Sequence, residues 1–161
     1  MRNSALVLPV ALMLAGCSGG RVDSSELPLR LRTQPAGTVA PGDSLRMTAY
    51  LVNPGKQPIR LEFEDQCQVV FYVHAPDRTV LHPAGGGAAC VGGPTALDLP
   101  AGDSVRFADT YLVTSRYAEE HSAYAVLWEH HVPGEGERQY EEGHRSNIVT
   151  FRVVDPAVPV P

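Results

Sequence analysis

The sequence predicts an all-β protein, an antiparallel β-sandwich of about seven or eight short strands. Three observations lead there. Apolar and polar residues alternate with a period of two through most of the segments between turns. Those segments are short, and the 15 Gly and 14 Pro of the 161-residue chain fall largely in the clusters between them. No stretch carries a helical apolar stripe of any length; Arg116 to His121 could supply one turn at most.

The chain opens with Met1-Arg2-Asn3, an apolar run from Ala5 to Leu14, and then Ala15-Gly16-Cys17. A positive start before a run of about ten apolar residues is a secretion signal, too short to span a bilayer as a permanent helix. Leu14-Ala15-Gly16-Cys17 resembles the lipobox of bacterial lipoproteins. The resemblance implies that Cys17 takes a diacylglyceryl group, that the chain is cut before it, and that the new amine is acylated. Several acyl chains would hold the protein at a membrane where one would not. Residues 1–16 are therefore expected as a signal peptide and 17–26 as a lipidated N-terminus with a small, polar, flexible linker. Residues 27–154 are expected as the sandwich and 155–161 as a Pro-rich extended tail. Ser18, rather than Asp, after the cysteine favours the outer membrane, facing the periplasm, under the sorting rule of some Gram-negative bacteria.

Within the sandwich, Leu27, Leu29 and Leu31 alternate with Pro28, Arg30 and Arg32. Pro28 lacks an N–H, which predicts an edge strand. Leu45, Met47, Ala49 and Leu51 form one apolar face, and Ile59, Leu61 and Phe63 another. Asn53-Pro54-Gly55-Lys56 lies between them as a turn, and the two segments are expected to pair as a hairpin. Cys67 to His74 is apolar on both faces, as a central strand requires. Ala75-Pro76-Asp77-Arg78 turns it into Thr79 to His82, and Gly85 to Gly93 is expected as a flexible loop. Val105 to Val113, Ser122 to His131 and Asn147 to Val154 supply the later strands.

The chain contains one internal echo. Pro41-Gly42-Asp43-Ser44-Leu45-Arg46-Met47 returns as Ala101-Gly102-Asp103-Ser104-Val105-Arg106-Phe107, and Tyr50-Leu51-Val52 returns as Tyr111-Leu112-Val113. The second copy has one extra residue, read as a bulge. Gly-Asp supplies a turn and the alternation supplies a strand, so the favoured reading is one turn-into-strand solution used twice, with a duplicated half-domain as the alternative.

With Cys17 committed to lipid, Cys67 and Cys90 remain, and in an oxidising envelope they are expected to bond to each other. The alternative is two unpaired thiols, one of them a small buried hydrophobe. The charge is mildly acidic, 13 basic against 18 acidic residues, and Lys56 is the sole lysine. No basic stripe exists, so nucleic acid is not an expected partner.

Short strands separated by turns read as a sandwich of immunoglobulin type, although Trp128 lies after both cysteines, unlike the antibody pattern. The segment from about Leu45 to Leu127 resembles the intracellular proteinase inhibitor domain of the BsuPI type. The landmarks are Leu51-Val52-Asn53, Ile59 to Phe63, Val69 to Val73, Leu99 to Ser104, and Tyr124-Ala125-Val126. This resemblance implies an immunoglobulin-like sandwich and a possible inhibitory role, with no inhibitory residue mapped. The lipid signal and the cysteine pair are departures from it.

No catalytic set emerges, and an enzyme is not expected. Ser44 and Ser104 lie outside any G-x-S-x-G motif, and Glu135 to Glu142 reads as a solvated acidic hairpin tip. His130 and His131 are neighbours and point to opposite faces. His74 and His82 flank a turn, and with Glu62, Glu64 or Asp65 they are the one cation set worth weighing. Neither metal nor cofactor is expected. The favoured function is a membrane-tethered interaction module whose partner is another envelope protein. Its candidate interaction loop carries His82, Gly86, Ala89 and Val91. The alternatives are a proteinase inhibitor using that loop and a small-ligand or metal carrier.

Overall fold

A computed structural model describes residues 27–84, 87, 89–114, 119–133 and 144–154. The lipobox cysteine Cys17, the linker, the acidic tip at 135–142 and the tail at 155–161 lie outside these residues. The strands are β1 (Leu29–Gln34), β2 (Thr38–Val39), β3 (Ser44–Val52), β4 (Ile59–Phe63), β5 (Val69–His74) and β6 (Val80–His82). They continue with β7 (Thr95–Leu99), β8 (Ser104–Leu112), β9 (Glu120–Leu127), β10 (His130–His131) and β11 (Val149–Val153). All described regular structure is β.

Two layers account for them. One is β1-β3-β8. The other is β2-β11-β9-β5-β6, and the short sheet β10-β4-β7 continues it. β4 leads into β5 and β9 into β10, and each pair keeps the same neighbour: β5 pairs with β9 and β4 with β10, both antiparallel. β6 and β7 likewise share the edge beside β5 and β4. Counted by position, the eleven segments reduce to the seven or eight strands the alternation suggests. The strand order, with β2 running parallel to β11 at one margin, is that of an immunoglobulin-like sandwich.

Period-two burial places the core. Leu45, Met47, Ala49 and Leu51 of β3 are fully buried, facing Phe71, Val73, Ala123, Ala125 and Leu127 of the other layer. In β5, Val70 is also buried yet stands outside this core, on the outer side beside Val126, which explains the apolar run on both faces.

The echo becomes a local two-fold. β3 and β8 pair antiparallel without interruption from Ser44 opposite Leu112 to Val52 opposite Ser104, so the expected bulge is absent. Equivalent hydrogen bonds recur at the two ends. Val113 N donates to Asp43 O and Asn53 N to Asp103 O, each at 2.9 Å. Asp43 N donates to Ala40 O and Asp103 N to Pro100 O. Gly42 and Gly102 both adopt positive φ in these turns, 90° and 71°, which glycine allows at little cost.

The expected hairpin between β3 and β4 does not form. β3 pairs with β1 and β8, and β4 with β7 and β10. The chain changes layer after Val52, and β7 changes back into β8 at the same corner. Asn53, fully buried, holds the crossing. Its Nδ2 donates to the carbonyls of Gln57, Leu99 and Pro100 at 2.8, 3.1 and 3.2 Å, and its Oδ1 accepts from Gly55 N at 2.9 Å. Alternation marks a strand but not its partner, which is why the sequence suggested a hairpin.

The edges are handled unequally. On β1, the Asn147 amide pairs with Leu31 as a strand would, accepting from its N–H at 2.8 Å and donating to its carbonyl at 3.2 Å. On β8, the odd-numbered residues bond to β3, so Ser104, Arg106, Ala108, Thr110 and Leu112 present their backbone groups outward. Two of these N–H groups are taken locally, Ser104 by Asp103 Oδ1 and Thr110 by Asp109 Oδ1, both at 2.7 Å. Asp109 also points inward, a charge that discourages another strand from docking.

Asn53→Ala is expected to lower stability by about 2–3 kcal/mol, because carbonyls at a buried corner lose their donor. Lys56→Ala in the same exposed turn is expected to change it by less than about 0.5 kcal/mol. Denaturant unfolding of the two variants beside the parent measures both.

Candidate functional site

Two neighbouring strands of the larger layer break at the same height. β4 gives way to β5 over residues 64–68, and β6 to β7 over residues 83–94. A disulfide between Cys67 and Cys90 joins the two interruptions, with Cα atoms 5.4 Å apart. Asp65 Oδ1 accepts from Cys67 N at 2.7 Å, and Thr95 Oγ1 donates to Asp65 O at 2.8 Å. Trp128 N, at the break between β9 and β10, donates to Gln68 O at 2.9 Å. The line of breaks is thus fastened across three strands.

Gly92 sits at φ 124°, where a side chain is strained, and a Cβ there would overlap the Gln66 side chain. The loop therefore lies against the Gln66–Cys67 segment, and Val91 projects from it with 73% of its surface exposed. Ala89 is also exposed, while Gly86 lies outside the described residues. His82 stands apart from this surface. It belongs to β6, and its Nε2 is 2.7 Å from Asp109 Oδ2 on β8, bridging the margins of the two layers. Its ring also meets Tyr111 edge-on at 5.9 Å.

His74 and His82 are not brought together as a cation site. His74 turns to the outer face, with Nδ1 3.1 Å from Arg78 O and Nε2 3.0 Å from Tyr124 Oη, while His82 turns toward Asp109. Glu62 pairs with Arg60 on the surface at 3.4 Å. Among the described residues, the three-ligand set that converges within 4.8 Å is Asp65, Cys67 and Cys90. Both of its sulfurs are bonded to each other and offer no thiolate.

The outer face of the larger layer carries an arrangement that alternation alone could not reveal. Tyr72 and Tyr124 lie directly opposite each other on β5 and β9 and stack at 5.2 Å. His74 stacks on Tyr124 at 5.3 Å, and the Arg145 guanidinium lies 4.3 Å from the centre of the Tyr124 ring. Burial, and then the neighbouring Tyr124, push the Tyr72 phenol above its ordinary range. Each residue lay on a readable strand; their meeting depends on register, which the sequence does not state.

No protein-family model matches the chain, and no curated protein matches it. Several solved structures are similar. The CARDB domain of PF1109 from Pyrococcus furiosus, solved in complex with di-metal ions, has a TM-score of 0.47 at 11% identity, over 81% of this chain and 94% of that one. Spo0M, a sporulation control protein from Bacillus subtilis, has a TM-score of 0.45 at 12% identity, over 79% of this chain and 49% of that one. A PapD-like domain of human CEP192 has a TM-score of 0.40 at 14% identity, over 96% and 97%. The likeness is one of fold, and it carries no ligand, metal or partner across to this chain.

Replacing Cys67 and Cys90 together by alanine is expected to lower stability by about 3 kcal/mol in the chain-entropy account. The shift in denaturant midpoint from the oxidised parent, with the reduced parent expected to match the variant, checks it. Gly92→Ala is expected to cost about 1–3 kcal/mol through backbone strain, read as a drop in melting temperature.

Proposed function

We propose that this chain is a lipid-anchored envelope protein whose β-sandwich is an interaction module for another envelope protein. The observation that carries the interaction reading is the loop at Val91. An exposed apolar side chain stands on a segment pinned by the Cys67–Cys90 bond and by Gly92 against Gln66. A surface held in one shape loses less entropy on binding, so pre-organisation here favours recognition over a purely structural role for the disulfide.

The anchor reading stands on Leu14-Ala15-Gly16-Cys17. Leu27 is buried, and Pro28 O accepts from Val52 N at 3.0 Å, so the chain joins the sandwich beside the Asn53 corner. Ten linker residues from 17 to 26 reach at most about 35 Å when fully extended. The corner is then the end nearest the membrane, and the turns at Asp43 and Asp77 form the far end.

The same pinned loop supports a second reading, a proteinase inhibitor that inserts it into a protease cleft. Photo-crosslinking from Val91 in intact envelopes separates the two. One reproducible envelope partner, lost on Val91→Asp, is expected for the interaction module; slowing of serine proteases at micromolar concentration, without such a partner, would favour inhibition. For the anchor, Cys17→Ala is expected to abolish palmitate incorporation and move the protein from the detergent phase to the aqueous phase. Unchanged partition would refute it.

A further inference from the structure

At the end of the sandwich opposite the Asn53 corner, a cavity of about 430 Å³ opens between the β5–β6 turn and the start of β9. That size suits a small organic molecule. Pro76 and Leu81 give it an apolar wall, Asp77 and Glu119 bring carboxylates, and none of the described lining residues is cationic. His121 also lines it and is 1% exposed, stacked on Phe151 at 5.5 Å.

The His121 ring has an unmet requirement. Its Nδ1 lies 3.0 Å from Glu119 O, and a carbonyl can only accept, so Nδ1 carries the hydrogen. In the neutral ring Nε2 is then a bare acceptor, and it is buried with no partner in the protein. A buried acceptor without a donor is disfavoured, and its presence on a cavity wall calls for a donor from outside.

The Asp77 carboxylate is held ready. Thr79 N donates to Asp77 Oδ1, while Ala75 N donates to Thr79 O and Arg78 N to Ala75 O, each at 2.9 Å, so the turn is fixed before any ligand arrives. The hydrogen bonds from Thr79 hold the Asp77 carboxyl below its ordinary range, so it stays ionised at neutral pH. Asp77, Glu119 and His121 do not converge as metal ligands do; among the described residues only Asp65, Cys67 and Cys90 reach that closeness. An ion with a body of its own fits better than a bare metal. An anion would meet two carboxylates and no cation among the described lining residues.

We propose that this cavity binds a small organic ammonium ion, its apolar body against Pro76 and Leu81, its charge beside Asp77 and Glu119, and one N–H donated to His121 Nε2. Nε2 has almost no accessible surface, so this contact requires a side-chain rotation in the cavity wall. The inference stands apart from both the tether and the Val91 loop.

Titration of the full chain in detergent micelles with benzylammonium, followed by nitrogen NMR of the imidazoles and the turn amides, tests it. Saturable shifts at His121 and at Asp77–Thr79 are expected, with benzyl alcohol weaker and benzoate silent. His121→Phe is expected to weaken benzylammonium about tenfold or more, as loss of a hydrogen bond to a charged group does. Asp77→Asn is expected to weaken it about two- to fivefold, the range for an exposed ion pair. Should His121→Phe not fold, Asp77→Asn on its exposed turn still reads the charge. No saturable shift, equal binding of benzoate or benzyl alcohol, or undiminished binding in the variants would overturn the proposal.

Discussion

The sandwich depends on one buried amide. Two strands change layer at the same corner, β3 into β4 and β7 into β8, and the changes leave the Gln57, Leu99 and Pro100 carbonyls partly or wholly buried. The Asn53 side chain donates to all three and accepts from Gly55. A leucine of similar size would fill the space and leave those carbonyls unpaired, a larger penalty than the gain in apolar burial. With the corner fixed, β3 and β8 run as one uninterrupted ladder, and the larger layer can tolerate its line of breaks because the disulfide fastens it.

Much of this was legible in the chain, and the reason is physical. Alternation in Leu45 to Leu51, Ile59 to Phe63 and Ser122 to Leu127 follows directly from one face meeting the core, so those strands could be read locally. The double-sided apolar run at Val69 to Val73 marked the central strand for the same reason. Pairing was not legible. The turn at Asn53 reads as a hairpin because its residues favour a reversal, and only contacts with Leu99 and Pro100, 46 and 47 residues away, convert it into a crossing. β7 was missed because Gly92, Gly93 and Pro94 before it suggest loop, and β2 has two residues only.

The functional residues divide in the same way. The cysteines could be paired from their number and the expected compartment, and the Val91 loop from its glycines. His82 was grouped with that loop by proximity in sequence, yet Asp109, 27 residues later, draws it to the margin between the layers. The Tyr72–Tyr124–Arg145 stack and the His121 cavity depend on register and on the β5–β6 turn meeting the start of β9, which no local pattern encodes. On the proposed anchor, what joins the parts is polarity. The chain enters beside the Asn53 corner, and the ammonium cavity lies about 30 Å away, the length of a nine-residue strand.

That polarity can be measured because Lys56, the sole lysine, lies in the turn that Asn53 holds. An amine-reactive donor placed there, on protein reconstituted through the proposed Cys17 lipid into vesicles carrying a surface acceptor, reports the height of the corner. The same donor on a Lys56→Arg, Asp77→Lys variant reports the far end. Stronger energy transfer from Lys56 than from position 77 is the expected result. Equal transfer from both positions, or stronger transfer from position 77, would contradict a domain hung from its Asn53 end.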